Sequence, residues 1–234
     1  QYRDVVPDPD NYQQYKEEIL NSAYHYLDHW YSRDFDDVVM LQGDELMAIC
    51  FGSDNYYDNG RAINGSIHCL TLDNEGIRML NDLIWGSEQT SLLISRYGGV
   101  DGKDPEVAPL RAIRAYYHFW AMELFGDVPI MDHFYGEGEP VDRRPRAEVA
   151  QFIANELEEI LAQTDADGAS ALSKANDSTT YGKPNYWMAT ALLAKLYLNW
   201  GVYTTSITEV TADTPNPKLN RSVELCDELM TCGL

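Results

Sequence analysis

RAIRAYYHFWAMELFGDVPIMD, residues 111–132, is the stretch that decides the fold. Its first part has apolar residues at 3–4 spacing along two seams, which predicts a helix that buries two sides. Gly126 then predicts a left-handed helix stop, and Pro129 prevents the helix from resuming. The seams are Leu110, Ile113, Tyr117, Trp120 and Leu124 on one side, and Ala112, Ala115, Phe119 and Met122 on the other.

Other helices are predicted on both sides of this stretch. In the helix at 146–163, Glu156, Glu158 and Glu159 are expected to point outward. The helix at 185–201 carries one charge, Lys195, so we expect it to be central and buried. Cys226 falls on an apolar seam of the last helix and is predicted to be buried. The predicted helices are 11–32, 73–85 with a continuation at 87–97 left open, 106–125, 146–163, 185–201 and 217–231.

The last four of these helices form two diverged hairpins. Phe125-Gly126 is expected to end the first helix of one hairpin, and Trp200-Gly201 the first helix of the other. Helical repeats of this kind bury their faces by stacking each hairpin on the next. The sequence therefore predicts an all-α fold of tetratricopeptide-like helix hairpins with irregular loop insertions.

Charge and composition exclude several classes of protein. The net charge of −21 argues against nucleic acid, because binding phosphates requires clustered Lys and Arg. It also disfavours binding to anionic lipid headgroups. No apolar run is long enough for a transmembrane helix, and the first residues read as a mature terminus rather than a signal peptide. Four scattered cysteines do not suggest a disulfide framework or a zinc site.

Four blocks in order resemble the SusD/RagB family, the glycan-capturing lipoproteins of Bacteroidetes outer membranes. The first is Phe125-Gly126-Asp127-Val128-Pro129, and the second is RAEVAQFIANELEEIL at 146–161. The third is Gly182-Lys183-Pro184 with the apolar run 189–198, and the fourth is the helix at 219–229. These blocks span 106–234, and Gly43-Asp44-Glu45 resembles an acidic turn of the family's N-terminal part.

The resemblance implies an organisation and a function. Residues 1–234 would form a SusD-like N-terminal helical domain, with a tetratricopeptide-like core at 106–234 and N-terminal helices with long loops at 1–105. Family members are longer, so the C-terminal half that completes the glycan site would be absent. The protein would be a non-catalytic, lipid-anchored protein on the outside of the outer membrane. It would capture oligosaccharide or another nutrient and pass it to a SusC-like TonB-dependent transporter.

The loop 53–64, SDNYYDNGRAIN, is the predicted binding segment. Tyr56 and Tyr57 offer ring faces for stacking on a pyranose, and Asp58, Asn59 and Arg61 offer planar hydrogen-bonding groups for sugar hydroxyls. A loop from this part of the chain contributes to the glycan site in SusD-like proteins. Trp85 is a second candidate, with burial in the core as its alternative. For the loop, the alternative is an ordinary solvated connector.

The sequence gives little support for a metal site or for catalysis. His25 and His29 share one face of a helix and could chelate zinc, although neighbouring Tyr26 and Trp30 favour packing and no third ligand is identifiable. No EF-hand loop, phosphate-binding loop, nucleophile elbow or dinucleotide fingerprint is present, and we expect no cofactor. The alternative function is a helical-repeat scaffold for protein interactions without a small ligand, and an all-α glycoside hydrolase is third.

Overall fold

The structure, a computed structural model, describes residues 12–25, 27, 74–136 and 138–232, without the side chains of 13 and 74–79. Within these ranges the chain is helical and contains no β-strand, so the all-α prediction is confirmed. None of the described helices is long and apolar enough to cross a membrane. The α-helices are α1 (Tyr12–Ala23), α2 (Asn74–Tyr97), α3 (Ala108–Phe125), α4 (Arg146–Ala162), α5 (Tyr186–Leu198), α6 (Trp200–Thr204) and α7 (Leu219–Leu229), with a 3₁₀ turn at Pro105–Val107 before α3.

Helix α3 lies at the centre and packs on α1, α2, α4 and α5. Both predicted seams are confirmed, because only Trp120 and Leu124 among their members are less than fully buried. The remaining helices pack mainly on helices one or two places away along the chain: α4 on α5 and α6, and α5 on α7. This is the sequential stacking expected of helix hairpins.

Helix α2 runs without interruption through Gly86, which answers the question left open about 87–97. A Cβ atom at Gly86 would lie 2.3 Å from the ring of Tyr117 on α3. The glycine therefore lets α2 and α3 approach closely, and it does not end a helix. The Tyr117 hydroxyl donates a hydrogen bond of 2.7 Å to the carbonyl of Ala23, which links α1 to the same contact.

The Phe-Gly-Asp-Val-Pro signature connects the end of α3 to the start of α4. Gly126 has φ +77° and ψ −105°, so the predicted stop is present with a positive φ but outside the left-handed helical region. Asp127 accepts a hydrogen bond of 2.9 Å from the backbone N–H of Arg146. Val128 pairs with Arg144 in an isolated antiparallel bridge. Asp127 thus satisfies an N–H that the first turn of α4 leaves without a helical partner.

The predicted single helix at 185–201 is wrong, because the chain breaks at Asn199 between α5 and α6. Trp200-Gly201 does not end a helix either, since both residues lie inside α6. A Cβ atom at Gly201 would lie 2.6 Å from the carbonyl oxygen of Pro215, so this glycine permits a close backbone contact. Next to it, the Asn216 amide donates to the carbonyls of Tyr197 and Leu198 at the end of α5.

Helix α7 buries one side and exposes the other. Cys226 is exposed, so its predicted burial is wrong. The helix buries Ser222 and Leu225 against α5, with the Ser222 hydroxyl 2.8 Å from the carbonyl of Ala194. The seam that the sequence suggested is the outward one; its exposed members are Leu219, Val223, Cys226 and Met230.

A buried charge cluster joins α3 to α4. Glu156 is buried, so its predicted outward orientation is wrong. Its carboxylate is 2.7 Å from the Arg111 guanidinium and 2.5 Å from that of Arg114, and both arginines are buried. Burial by itself raises the pKa of Glu156, but the two arginines outweigh it and hold the pKa below its ordinary value. Glu159 is exposed as predicted and also contacts Arg111.

Candidate ligand-binding cleft

An open cleft of about 880 Å³ lies between α1, α3 and the connector that precedes α5. Its walls come from the residues just after α1, from α3, from residues 176–185 and from the start of α5. The volume is in the range of pockets that hold small ligands. The lining combines tyrosine rings and apolar groups with amide, hydroxyl and carboxylate side chains.

Tyr24 and Leu27, which follow α1, line one wall, and polar contacts hold α1 against the rest of the fold. The Tyr12 hydroxyl donates to the carbonyl of Glu106 at 2.9 Å, and Lys16 forms an ion pair of 2.7 Å with the Glu106 carboxylate. At the cleft itself, Lys183 forms an ion pair of 2.8 Å with Glu17. The last contact joins α1 directly to the opposite wall.

The opposite wall, residues 176–185, has an ordered backbone because its own side chains bind it. Asp177 Oδ1 accepts hydrogen bonds from the Thr179 N–H and hydroxyl at 2.8 and 2.6 Å. The Thr180 hydroxyl donates to the carbonyl of Ala175 at 2.9 Å. Asn185 ends the segment as the N-cap of α5, accepting from the Met188 N–H at 2.8 Å. The wall is therefore held in place by local polar contacts before any ligand arrives.

Three tyrosines give the cleft its aromatic surface. Tyr181 stands at the rim with 90% of its surface exposed, and Tyr116 is half-buried on α3. Tyr24 lies in the wall; its hydroxyl is buried and has no hydrogen-bond partner among the residues that the structure describes. Burial raises the pKa of Tyr24, so it stays a neutral phenol.

This chain resembles known proteins in sequence and in fold. No family model matches it. It is 33% identical over 97 residues to the starch-binding protein SusD of Bacteroides thetaiotaomicron, a match covering 42% of this chain and 16% of that protein. A SusD superfamily structure from the same species overlays with a TM-score of 0.63 at 20% identity, covering 96% of this chain and 46% of the other. The chain has a SusD-like fold.

A second solved structure, a laminarin-binding SusD-like protein, overlays with a TM-score of 0.61 at 21% identity. It covers 81% of this chain and 40% of that one. The resemblance predicted from the four sequence blocks is therefore confirmed. The SusD-like chain spans less than half the length of the solved structures it matches.

Of the residues predicted to bind glycan, the structure describes Trp85 alone. Tyr56, Tyr57, Asp58, Asn59 and Arg61 lie outside the described residues and stay predictions. Trp85 is described; it lies on α2 with 48% of its surface exposed, so it is not a core residue. Trp85 is not among the described residues that line the cleft.

The histidine candidate is likewise only half described. His25 is exposed just beyond α1, and His29 lies outside the described residues. Within the described ranges, no group of three His, Cys, Asp or Glu side chains is placed to hold a metal ion. The pair therefore remains an untested prediction.

The cleft was not foreseen from the sequence of this SusD-like chain. Gly182-Lys183-Pro184 was recognised only as a block of the family pattern, and Tyr181 beside it was not singled out. The available signal was a tyrosine within a polar, glycine-containing connector, the same signal that selected the loop 53–64. No local sequence pattern predicts that Tyr24 and Leu27, which follow α1, face this connector and supply the other wall.

Proposed function

We propose that this SusD-like chain belongs to a non-catalytic glycan-binding protein. The observation that carries the proposal is a tyrosine-lined cleft held in a SusD-like fold. Tyr116 and Tyr181 offer ring faces to the apolar side of a pyranose, and Asn176 and Thr180 offer hydrogen-bonding groups to its hydroxyls. Capture is an equilibrium: stacking and planar hydrogen bonds hold the sugar, and no bond is broken.

The absence of catalysis is part of the proposal and has a chemical basis. Hydrolysis of a glycosidic bond generally uses two carboxylates on either side of the sugar. Among the described residues that line the cleft, Asp177 is the single carboxylate. Its oxygen is already bound to Thr179, which suits a structural role.

The finer parts of the proposal follow from the family resemblance. The protein is lipid-anchored at the outer membrane, faces outward, and passes oligosaccharide to a SusC-like TonB-dependent transporter. One similar protein is a starch-binding protein and another is a laminarin-binding protein, which supports an oligosaccharide as the captured nutrient. The loop residues Tyr56, Tyr57, Asp58, Asn59 and Arg61 are further proposed sugar contacts, and Trp85 is a separate candidate outside the cleft.

The test is calorimetric titration of the full-length protein with a panel of oligosaccharides that differ in linkage. We expect saturable heat with at least one member of the panel and no release of reducing ends during the titration. Failure of every glycan to bind would count against the proposal and favour the alternative, a helical-repeat scaffold that binds protein partners. Release of reducing ends would instead revive a glycoside hydrolase.

A further inference from the structure

The basic side chain in the cleft is already paired. Lys183 is the one Lys or Arg among the described lining residues, and its Nζ lies 2.8 Å from Oε1 of Glu17. The hydrogen bond from Lys183 lowers the pKa of the Glu17 carboxyl, so the glutamate is ionised at neutral pH. The positive charge of Lys183 is therefore compensated by α1 and does not face a ligand as a free cation.

The acidic side chain in the cleft is bound to neutral donors only. The Thr179 hydroxyl and N–H hydrogen-bond the Asp177 carboxylate and lower its pKa. Neutral donors stabilise the ionised form without cancelling its charge. The described lining thus carries one uncompensated negative charge beside Tyr181 and Gly182.

An acidic sugar would meet an unfavourable environment in this cleft. Proteins hold uronate carboxylates and sulfate groups with Arg or Lys, often through two parallel hydrogen bonds. The buried Arg111 and Arg114 are bound to Glu156 and do not line this cleft. The net charge of −21 adds a repulsion that reaches about 8 Å at physiological ionic strength.

An uncharged sugar avoids this electrostatic repulsion and can contact the apolar and hydrogen-bonding groups of the cleft. Tyr116, Tyr181, Pro184 and Met188 give aromatic and apolar surface for the carbon–hydrogen faces of sugar rings. The Asn176 amide and the Thr180 hydroxyl can bond to sugar hydroxyls without regard to charge.

We propose that the cleft binds uncharged oligosaccharides and that Asp177 excludes glycans carrying carboxylate or sulfate groups. This inference rests on the proposed function, because it names the ligand class of the same site. The selectivity is electrostatic, so it weakens as salt screens Asp177 and the surrounding negative charge.

The experiment compares matched sugars on the full-length protein. Maltohexaose and laminarihexaose, and the same two sugars oxidised at C6 to uronates, are titrated at 20 mM and 500 mM NaCl. We expect the neutral forms to bind, and the oxidised forms to bind at least about five-fold more weakly at low salt, as one nearby like charge implies. The difference should shrink at high salt.

Two variants with the same loss of charge locate the effect. Asp177→Asn should bring the affinity for the oxidised sugar closer to that for the neutral sugar. Asp213→Asn removes an exposed carboxylate that does not line the cleft, and should leave the discrimination unchanged. The salt series on the unaltered protein gives an independent measurement if Asp177→Asn disturbs its segment.

The possible outcomes separate the two proposals. Equal or tighter binding of the oxidised sugars overturns the charge selectivity and leaves glycan capture intact. Binding of the neutral forms with a salt-dependent loss for the oxidised forms supports both. If neither form of either sugar binds, while the linkage panel also fails, glycan capture itself is wrong.

Discussion

Gly86 of α2 lies so close to Tyr117 of α3 that a Cβ atom at Gly86 would be 2.3 Å from the tyrosine ring. We expect Gly86→Ala to lower the free energy of unfolding by about 2 kcal/mol, because overpacking exceeds the gain in helix propensity. Chemical denaturation measures the change. Gly136→Ala, at a glycine with open space around it, is the matched control and should have little effect.

A double-mutant cycle checks that the clash with Tyr117 is the cause. Tyr117→Ala removes the ring, so Gly86→Ala should cost much less in that background. The same cost in both backgrounds would contradict the steric explanation.

Glu156→Gln should be strongly destabilising. The change removes the negative charge that compensates two buried arginines, Arg111 and Arg114, and breaking a buried pair costs about 3–5 kcal/mol. Denaturant titration of the variant gives the difference. Glu148→Gln, also on α4, breaks an exposed pair with Arg144, which precedes the helix, and should change stability little.

His118 makes the stability depend on pH in the mildly acidic range. Its Nδ1–H donates to the carbonyl of Arg114, and its Nε2 accepts from the N–H of Met131, both at 2.8 Å. Burial lowers the pKa of His118 to about 4, so the folded protein holds the ring neutral.

Because the pKa of His118 is lower in the folded than in the unfolded chain, its contribution is fully present above about pH 6.5 and is lost as the pH falls toward 4. The loss amounts to about 3 kcal/mol. Unfolding free energies measured from pH 8 to pH 4 should show this slope, and His118→Gln should flatten it. An unchanged slope in the variant would assign the pH dependence to other groups.

Asp127 should stabilise the start of α4 through its acceptor oxygen. Asp127→Ala leaves the Arg146 N–H without this partner and should cost about 1 kcal/mol, as the loss of a helix cap does. Asp127→Asn keeps an acceptor and should cost less. Thermal denaturation of the two variants distinguishes them, and an equal loss in both would point to the charge instead.

Tyr181→Ala should weaken glycan binding without destabilising the fold. The side chain is 90% exposed, so its removal loses little packing, whereas loss of its stacking surface should weaken affinity about 5–10-fold. Calorimetry with the best ligand of the panel measures the affinity. Tyr15→Ala removes an exposed tyrosine of α1 that does not line the cleft, and should leave affinity unchanged.

Local periodicity explains how much of the fold could be predicted. The two seams of α3 follow from 3–4 spacing alone, and both are buried as expected. Gly86 and Gly201 could not be interpreted in this way, because each meets a distant partner that only the fold supplies. Glycine reads as a breaker in a sequence, but at these positions it permits close contact.

The buried charge cluster and the cleft could not be predicted from the sequence, for a related reason. The amphipathic pattern of α4 predicts that Glu156 points outward, whereas the arginines that compensate its buried charge lie 42 and 45 residues earlier. The cleft depends on α1 meeting residues 176–185, and no local pattern encodes that contact.

The ion pair between Glu17 and Lys183 joins residues 166 positions apart. Helix α1 packs on α2 and α3, and this ion pair adds a contact with the connector before α5. Detachment of α1 would therefore open the cleft while the other helices remained folded. A glycan that touches both walls would resist this detachment, so ligand binding should slow hydrogen exchange in α1 more than in α4 or α7.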